Sequence, residues 1–178
     1  MKFSQQISQN VLFDTGTGNR RHLVTVKKVA QDIGSDMCDS LPSLHSYTGC
    51  DTVSAFVRKG KLLPLRLLKK YPQFLETFKS LGKSSSLDEK NIHDLEHFTC
   101  LMYKDNLKEL SINRLRYKIF LQRDIPTSGI LSTNDGIDMS LLPPCLMSLS
   151  EHMKRANYYQ ALIWQKADEQ YPDILSPE

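Results

Sequence analysis

A proline interrupts the most regular apolar pattern in the chain. In LLPLRLLKKYPQFLETFKSLG, residues 62–82, leucine and phenylalanine recur at three- and four-residue steps on both sides of Pro72, a period that gathers them on one face only if the backbone is helical. Pro72 has no amide hydrogen and its ring clashes with the preceding turn, so the run must fold as two short helices meeting at a bend. Pro64 is compatible with the first of them, because in a first turn the missing amide has no intrahelical partner to lose. The pattern is that of a helix-turn-helix.

The other segments are arranged around this hairpin. VLFDT and RHLVTV, either side of Gly16-Thr17-Gly18-Asn19, read as two strands joined by residues tolerant of positive φ. From Lys27 the period becomes helical, with Val29, Ile33 and Met37 about four apart and Gly34 dividing two helices. KSSSLDE, residues 83–89, is a serine-rich linker in which Ser86 or Asp88 can cap a helix over Asn91 to Tyr103; a further helix is expected near Ile112 to Gln122. Ile125 to Pro144 reads as a long loop, and a last helix is expected from Met147 to about Gln170. The expected fold class is α+β, predominantly helical: an N-terminal β-hairpin followed by a helix bundle. Residues 1–82 and 83–178 are expected to pack as one unit, since 178 residues at 40% apolar composition suit one sizeable core.

Cys38, Cys50, Cys100 and Cys145 are widely spaced with no C-x-x-C pair, which argues against a zinc ribbon or redox dithiol and for reduced thiols. No apolar run approaches the roughly 18 residues of a membrane span, and MKFSQQISQN lacks a leader's apolar stretch. An intracellular location, the nucleus included, and no membrane partner are therefore expected. A net charge of +3 excludes little, so the distribution of charge matters more. Arg58, Lys59, Lys61, Arg66, Lys69 and Lys70 lie in a stretch, Thr52 to Leu75, that contains no acid. Arg66, Lys69 and Lys70 stand at i, i+3 and i+4, so one face of the first helix would present them while Leu65 and Leu68 turn to the core. That geometry suits a phosphate backbone, although a solvated basic face has the same composition.

LPSLHSYTGCDTVSAFVRKGKLLPLRLLKKYPQF, residues 41–74, resembles the metal-site and helix-turn-helix segment of flap-endonuclease-like 5′ nucleases of the PIN-like class. With FDTGTGNRR near the start and LLPPCLMSLSEHMKRANYYQALIW near the end, most of the chain also resembles uncharacterised animal proteins associated with transposable elements. In the nucleases a Gly-Cys-Asp step ends a helix and offers a carboxylate to catalytic metal; Gly49, Cys50 and Asp51 match it, so the resemblance makes Asp51 a metal ligand. A hairpin whose backbone amides meet phosphate follows; Gly60 and Lys61 match its second glycine and basic neighbour, and Arg58 replaces its first glycine. The resemblance implies a DNA or RNA backbone as partner for Arg58, Lys59, Gly60, Lys61, Arg66, Lys69 and Lys70. Mg2+ or Mn2+ enters only in a longer parent, because two-ion hydrolysis needs several carboxylates and the family's others precede the matched segment. No cofactor is expected for this chain alone. It is expected to be catalytically incomplete, either truncated from a longer protein with an N-terminal nuclease half or a remnant in which Asp51 only caps a helix or orders a turn.

Other signals compete. A structural or protein-interaction fragment without a nucleic-acid role is the alternative reading. Asp14-Thr15-Gly16 is similar to the catalytic loop of retroviral-type aspartic proteases, which need a strand-rich body, whereas this chain turns helical at Lys27. His93 and His97 in HDLEH approach the zinc-protease pattern but have Asp94 in place of glutamate and no evident third ligand. His45 with Cys50 would make a thiol–imidazole pair, without an identifiable orienting group. Lys154, Arg155, Asn157, Tyr158, Tyr159 and Trp164 could stack on unpaired bases or, more ordinarily, pack into a core.

Overall fold

The structure, a computed structural model, describes residues 11–105, 108, 111–123, 138–158 and 163–165. It is mostly helical α+β with an N-terminal antiparallel hairpin. Strand β1 (Leu12–Thr15) pairs with β2 (His22–Thr25) in the register Phe13 to Val24 and Asp14 to Leu23, and a 3-10 turn at Gly18–Arg20 joins them. The hairpin stands off the core, with Leu12, Phe13 and Leu23 each more than half exposed.

Helix α1 (Val26–Ile33) follows directly and stops at Gly34, whose φ of +89° ends the helical conformation. Helix α2 (Ser35–Tyr47) comes next and already contains Leu41–Tyr47, the first half of the motif-dense stretch. Its inner face is Met37, Ser40, Ser43, Leu44 and Tyr47, all buried. The serines are small enough to let α2 approach helix α4 (Leu75–Ser80) closely. Their hydroxyls keep hydrogen bonds: Ser40 donates to the Asp36 carbonyl at 2.7 Å, and Ser43 reaches the Leu81 carbonyl at 3.5 Å.

The hairpin around Pro72 folds as its spacing requires. Helix α3 (Leu62–Lys70) ends before a 3-10 turn at Pro72–Phe74, and α4 begins at Leu75. Helix α5 (Glu89–Tyr103) starts at an Asp88 cap whose carboxylate accepts from the Asn91 amide at 2.6 Å. Two side chains then pass the fold onward. Glu96 on α5 accepts the Ile112 amide at 2.8 Å, capping helix α6 (Ile112–Arg123), and Asn113 on α6 accepts the Leu146 amide at 2.8 Å, capping helix α7 (Leu146–Arg155).

Tyr47, Phe74, Phe78, Phe98, Leu95 and Leu149 lie in one core cluster drawn from both halves of the chain. Burying each such side chain is worth about 2–3 kcal/mol. Phe78 meets Phe98 edge-on at 4.9 Å and Tyr47 at 5.7 Å, a geometry that adds about 1 kcal/mol per pair.

The ends differ from expectation. Within the expected loop of residues 125–144, a 3-10 turn forms at Met139–Leu141, and residues 125–137 lie outside the described ones. The single helix expected from Met147 to Gln170 instead leaves α-helical geometry after Arg155, where Ala156–Tyr158 form a wider π turn. A short helix α8 (Ile163–Gln165) is described beyond it, and Gln170 lies outside the described residues. Among the described residues no helix is long and apolar enough to cross a membrane.

Candidate nucleic-acid interface

Helix α2 ends in a tight approach that only glycine allows. Gly49 has φ +99°, and a Cβ there would lie 2.5 Å from the Ala55 Cα. Cys50 and Val53 then exchange backbone hydrogen bonds of 2.9 and 3.2 Å, which puts Asp51 and Thr52 at the exposed tip of a turn. Asp51 is thus the solvent-facing carboxylate of a turn.

Lys61 joins this turn to the basic loop. Its ammonium donates to the His45 carbonyl at 2.6 Å, to the Thr48 hydroxyl at 2.9 Å and to the Gly49 carbonyl. These are oxygens at the C-terminal end of α2, where the helix dipole is negative and carbonyls lack intrahelical donors. Partial burial pushes the ammonium's pKa down. His45, beside it, is also pushed down, first by burial and then by the Lys61 charge, with Asp51 acting in the opposite direction. Asp51, His45 and Lys61 are therefore electrostatic neighbours.

Arg58, not Gly60, takes the left-handed conformation, with φ +57°. Gly60 is outside that region and has open space where a Cβ would stand. Arg58 thus holds a backbone conformation that favours glycine while carrying an arginine side chain.

Along α3, Pro64, Leu67 and Leu68 are buried and Leu65 is half-buried, whereas Arg66, Lys69 and Lys70 are exposed. The six cations are not equivalent. Lys61 is committed to the end of α2, and Lys59 lies 4.5 Å above the Tyr103 ring. Lys70 pairs with Asp105 and lies 5.0 Å from the Tyr71 ring; Tyr71 donates to the same carboxylate at 2.6 Å. That pairing raises Lys70 and lowers Asp105. Arg58, Arg66 and Lys69 are exposed side chains on the loop and helix.

The donor set around Asp51 does not by itself suit a divalent ion. Among the described residues no group of three His, Cys, Asp or Glu side chains is placed to hold one, and magnesium or manganese sites are built from several oxygens.

The rival motifs have their own surroundings. Asp14 accepts a two-pronged hydrogen bond from Arg21 across the hairpin. On α5, Asp94 accepts from Thr77 at 2.8 Å and His97 packs edge-on against Phe74 at 5.3 Å. Near the C-terminus, Lys154 pairs with Glu151 at 2.9 Å, and Trp164 meets His45 edge-on at 6.2 Å. Asn157, considered above for base contacts, is buried: its carbonyl accepts the Gly82 amide and its amide donates to Ser84, both at 2.8 Å. Tyr159 lies outside the described residues.

One arrangement has no signature in the sequence. His152 on α7 is buried against Tyr47 and Phe56, accepts from Ser54 at 3.2 Å through Nδ1, and donates through Nε2 to the Tyr47 carbonyl at 2.8 Å. The partners are 98 residues apart, beyond any local spacing rule. Comparison with protein-family models, curated proteins and solved structures gives no match to this chain.

Proposed function

We propose that this chain is a nuclease-related nucleic-acid-binding module that is catalytically incomplete on its own. The supporting observation is the placement of Arg66 and Lys69 on the exposed side of α3, opposite buried Leu67 and Leu68, directly after a loop that Lys61 fastens to the Asp51 turn. Cations held by a packed helix meet successive phosphates without base contacts, so affinity is independent of sequence and falls with salt. Arg58 adds a side-chain contact where a glycine would bring backbone amides instead. Asp51 serves a divalent ion, Mg2+ or Mn2+, only in a longer protein that supplies further carboxylates.

The test is fluorescence anisotropy with duplex DNA, flap DNA and single-stranded RNA over about 50–200 mM salt. Three phosphate contacts, by Arg58, Arg66 and Lys69, give a slope of log K against log salt of about −3 on duplex. The double substitution Arg66→Gln with Lys69→Gln brings the slope to about −1. Undetectable binding at low salt overturns the reading. It would favour a protein-interaction fragment, for which the uncovered Leu12, Phe13 and Leu23 of the hairpin are the motivating observation.

A further inference from the structure

Ser54 and His152 meet at the wall of a pocket of about 220 Å³ whose apolar side is formed by Phe56, Val57, Leu142 and Pro144. The imidazole is fixed at both nitrogens. Nε2 faces the Tyr47 carbonyl at 2.8 Å, and a carbonyl can only accept, so Nε2 carries the hydrogen and Nδ1 presents its lone pair to Ser54 Oγ at 3.2 Å. Phe56 at 4.8 Å and Tyr47 at 5.2 Å hold the ring edge-on from two directions. Ser54 is exposed while His152 is buried, so the hydroxyl reaches solvent and its base is shielded from it.

The geometry points to Ser54 and His152 as a nucleophile–base dyad, with the Tyr47 carbonyl as orienting group, acting on esters whose small apolar acyl group fits the adjoining pocket. Ser54 Oγ bonds to the acyl carbon while its proton passes to His152 Nδ1. The bond from acyl carbon to the leaving oxygen then breaks, and Nδ1 returns the proton to that oxygen. Water repeats the sequence on the acyl-serine, releasing the acid and restoring the hydroxyl, so ester and water give acid and alcohol. Tyr103 lines the same pocket, and its phenol hydroxyl can donate to the developing oxyanion.

Burial first, and then Arg155 on the same helix, push His152 down, against the Tyr47 carbonyl; the imidazole is therefore neutral at pH 7 and able to accept a proton. Across the pocket, Tyr103 is raised by burial, with Arg116 acting against that shift, and Lys59 lies on its ring. The phenol therefore stays protonated.

The test uses the full chain with phenylmethylsulfonyl fluoride, which sulfonylates an activated serine with loss of fluoride, and with p-nitrophenyl acetate as ester. One adduct per chain on the Ser54 peptide is expected, at a rate that rises with pH and levels off above the lowered imidazole pKa. Ser54→Ala abolishes it, His152→Gln slows it by about 100-fold or more, and Ser148→Ala retains it. Because His152→Gln removes a buried group, Ser54→Cys supplies a second readout. A thiol beside this imidazole reacts with iodoacetamide well below the ordinary thiol pKa of about 8.5, while Ser148→Cys does not. Absence of an adduct overturns the dyad, as does an adduct that survives Ser54→Ala or a Ser54→Cys thiol with an ordinary pH profile. None of these outcomes depends on nucleic-acid binding.

Discussion

The Lys61 ammonium lies 2.6 Å from the His45 carbonyl, so a cation of the basic loop closes the C-terminal end of α2. The same side chain meets Thr48 and Gly49 and therefore holds the loop against the Asp51 turn. Charge-assisted hydrogen bonds to helix-end carbonyls stabilise by about 1–2 kcal/mol, and solvent access at this partly exposed group reduces that to about 1 kcal/mol. Lys61→Met is expected to lower unfolding free energy by that amount in urea titration. Arg66→Met and Lys69→Met should change it by less than about 0.5 kcal/mol. Equal losses in all three would mean that Lys61 has no special structural part.

Two glycines near this junction should respond in opposite ways to alanine. At Gly49 a side chain meets both a left-handed backbone and the Ala55 Cα at 2.5 Å. Gly49→Ala should therefore cost about 2–5 kcal/mol, summing strain and overlap. At Gly60 there is space and no positive φ, so Gly60→Ala should be neutral or stabilising by up to about 1 kcal/mol. Thermal denaturation of the two variants checks the pair. Gly60→Ala also tests whether phosphate approaches the loop's backbone: weaker duplex binding at unchanged stability requires that approach, whereas unchanged binding leaves the contacts to side chains.

Much of the fold could be read in advance, and the parts that could not share a physical cause. The bend at Pro72, the break at Gly34 and the Asp88 cap each follow from one residue's own chemistry, which acts locally. Helix α2 was harder to read through to Tyr47 because its buried face includes Ser40 and Ser43, which an apolar count treats as surface. The cationic cluster was visible as composition, but the commitments of Lys61 to α2 and of Lys70 to Asp105 were not. Those partners stand 16 and 35 residues away, and only the fold brings them together. The Ser54–His152 contact is the extreme case, because its partners stand 98 residues apart.

His152 also sets a pH dependence of stability. Burial lowers its folded-state pKa below the unfolded value of about 6.5. The unfolded chain therefore binds the proton more readily, and stability falls as pH falls. The contribution is fully present above about pH 6.5 and is lost as pH drops through the lower folded value. Urea titrations between about pH 7.5 and 5 should show a declining midpoint. His152→Gln should flatten that part of the profile while lowering stability at pH 7. A wild-type midpoint that holds constant across the window would mean that the imidazole is not desolvated.

The linker of residues 83–89 is held to α7's continuation by one buried side chain. Asn157 accepts the Gly82 amide at 2.8 Å and donates to the Ser84 carbonyl at 2.8 Å, so it serves two backbone groups of the turn that follows α4. Asn157→Ala leaves a buried amide hydrogen without its acceptor, at a cost of about 1–3 kcal/mol. Asn157→Asp keeps the acceptor for Gly82 but turns a carboxylate toward the Ser84 carbonyl, and so should be at least as damaging at neutral pH and less so in acid as the carboxylate protonates. Hydrogen exchange at the Gly82 amide is the direct measurement. Faster exchange in both variants, with the Asp variant partly restored at low pH after correction for intrinsic rates, identifies Asn157 as the clamp. Unchanged protection would assign the linker's order to the neighbouring Leu81 and Leu87 packing instead.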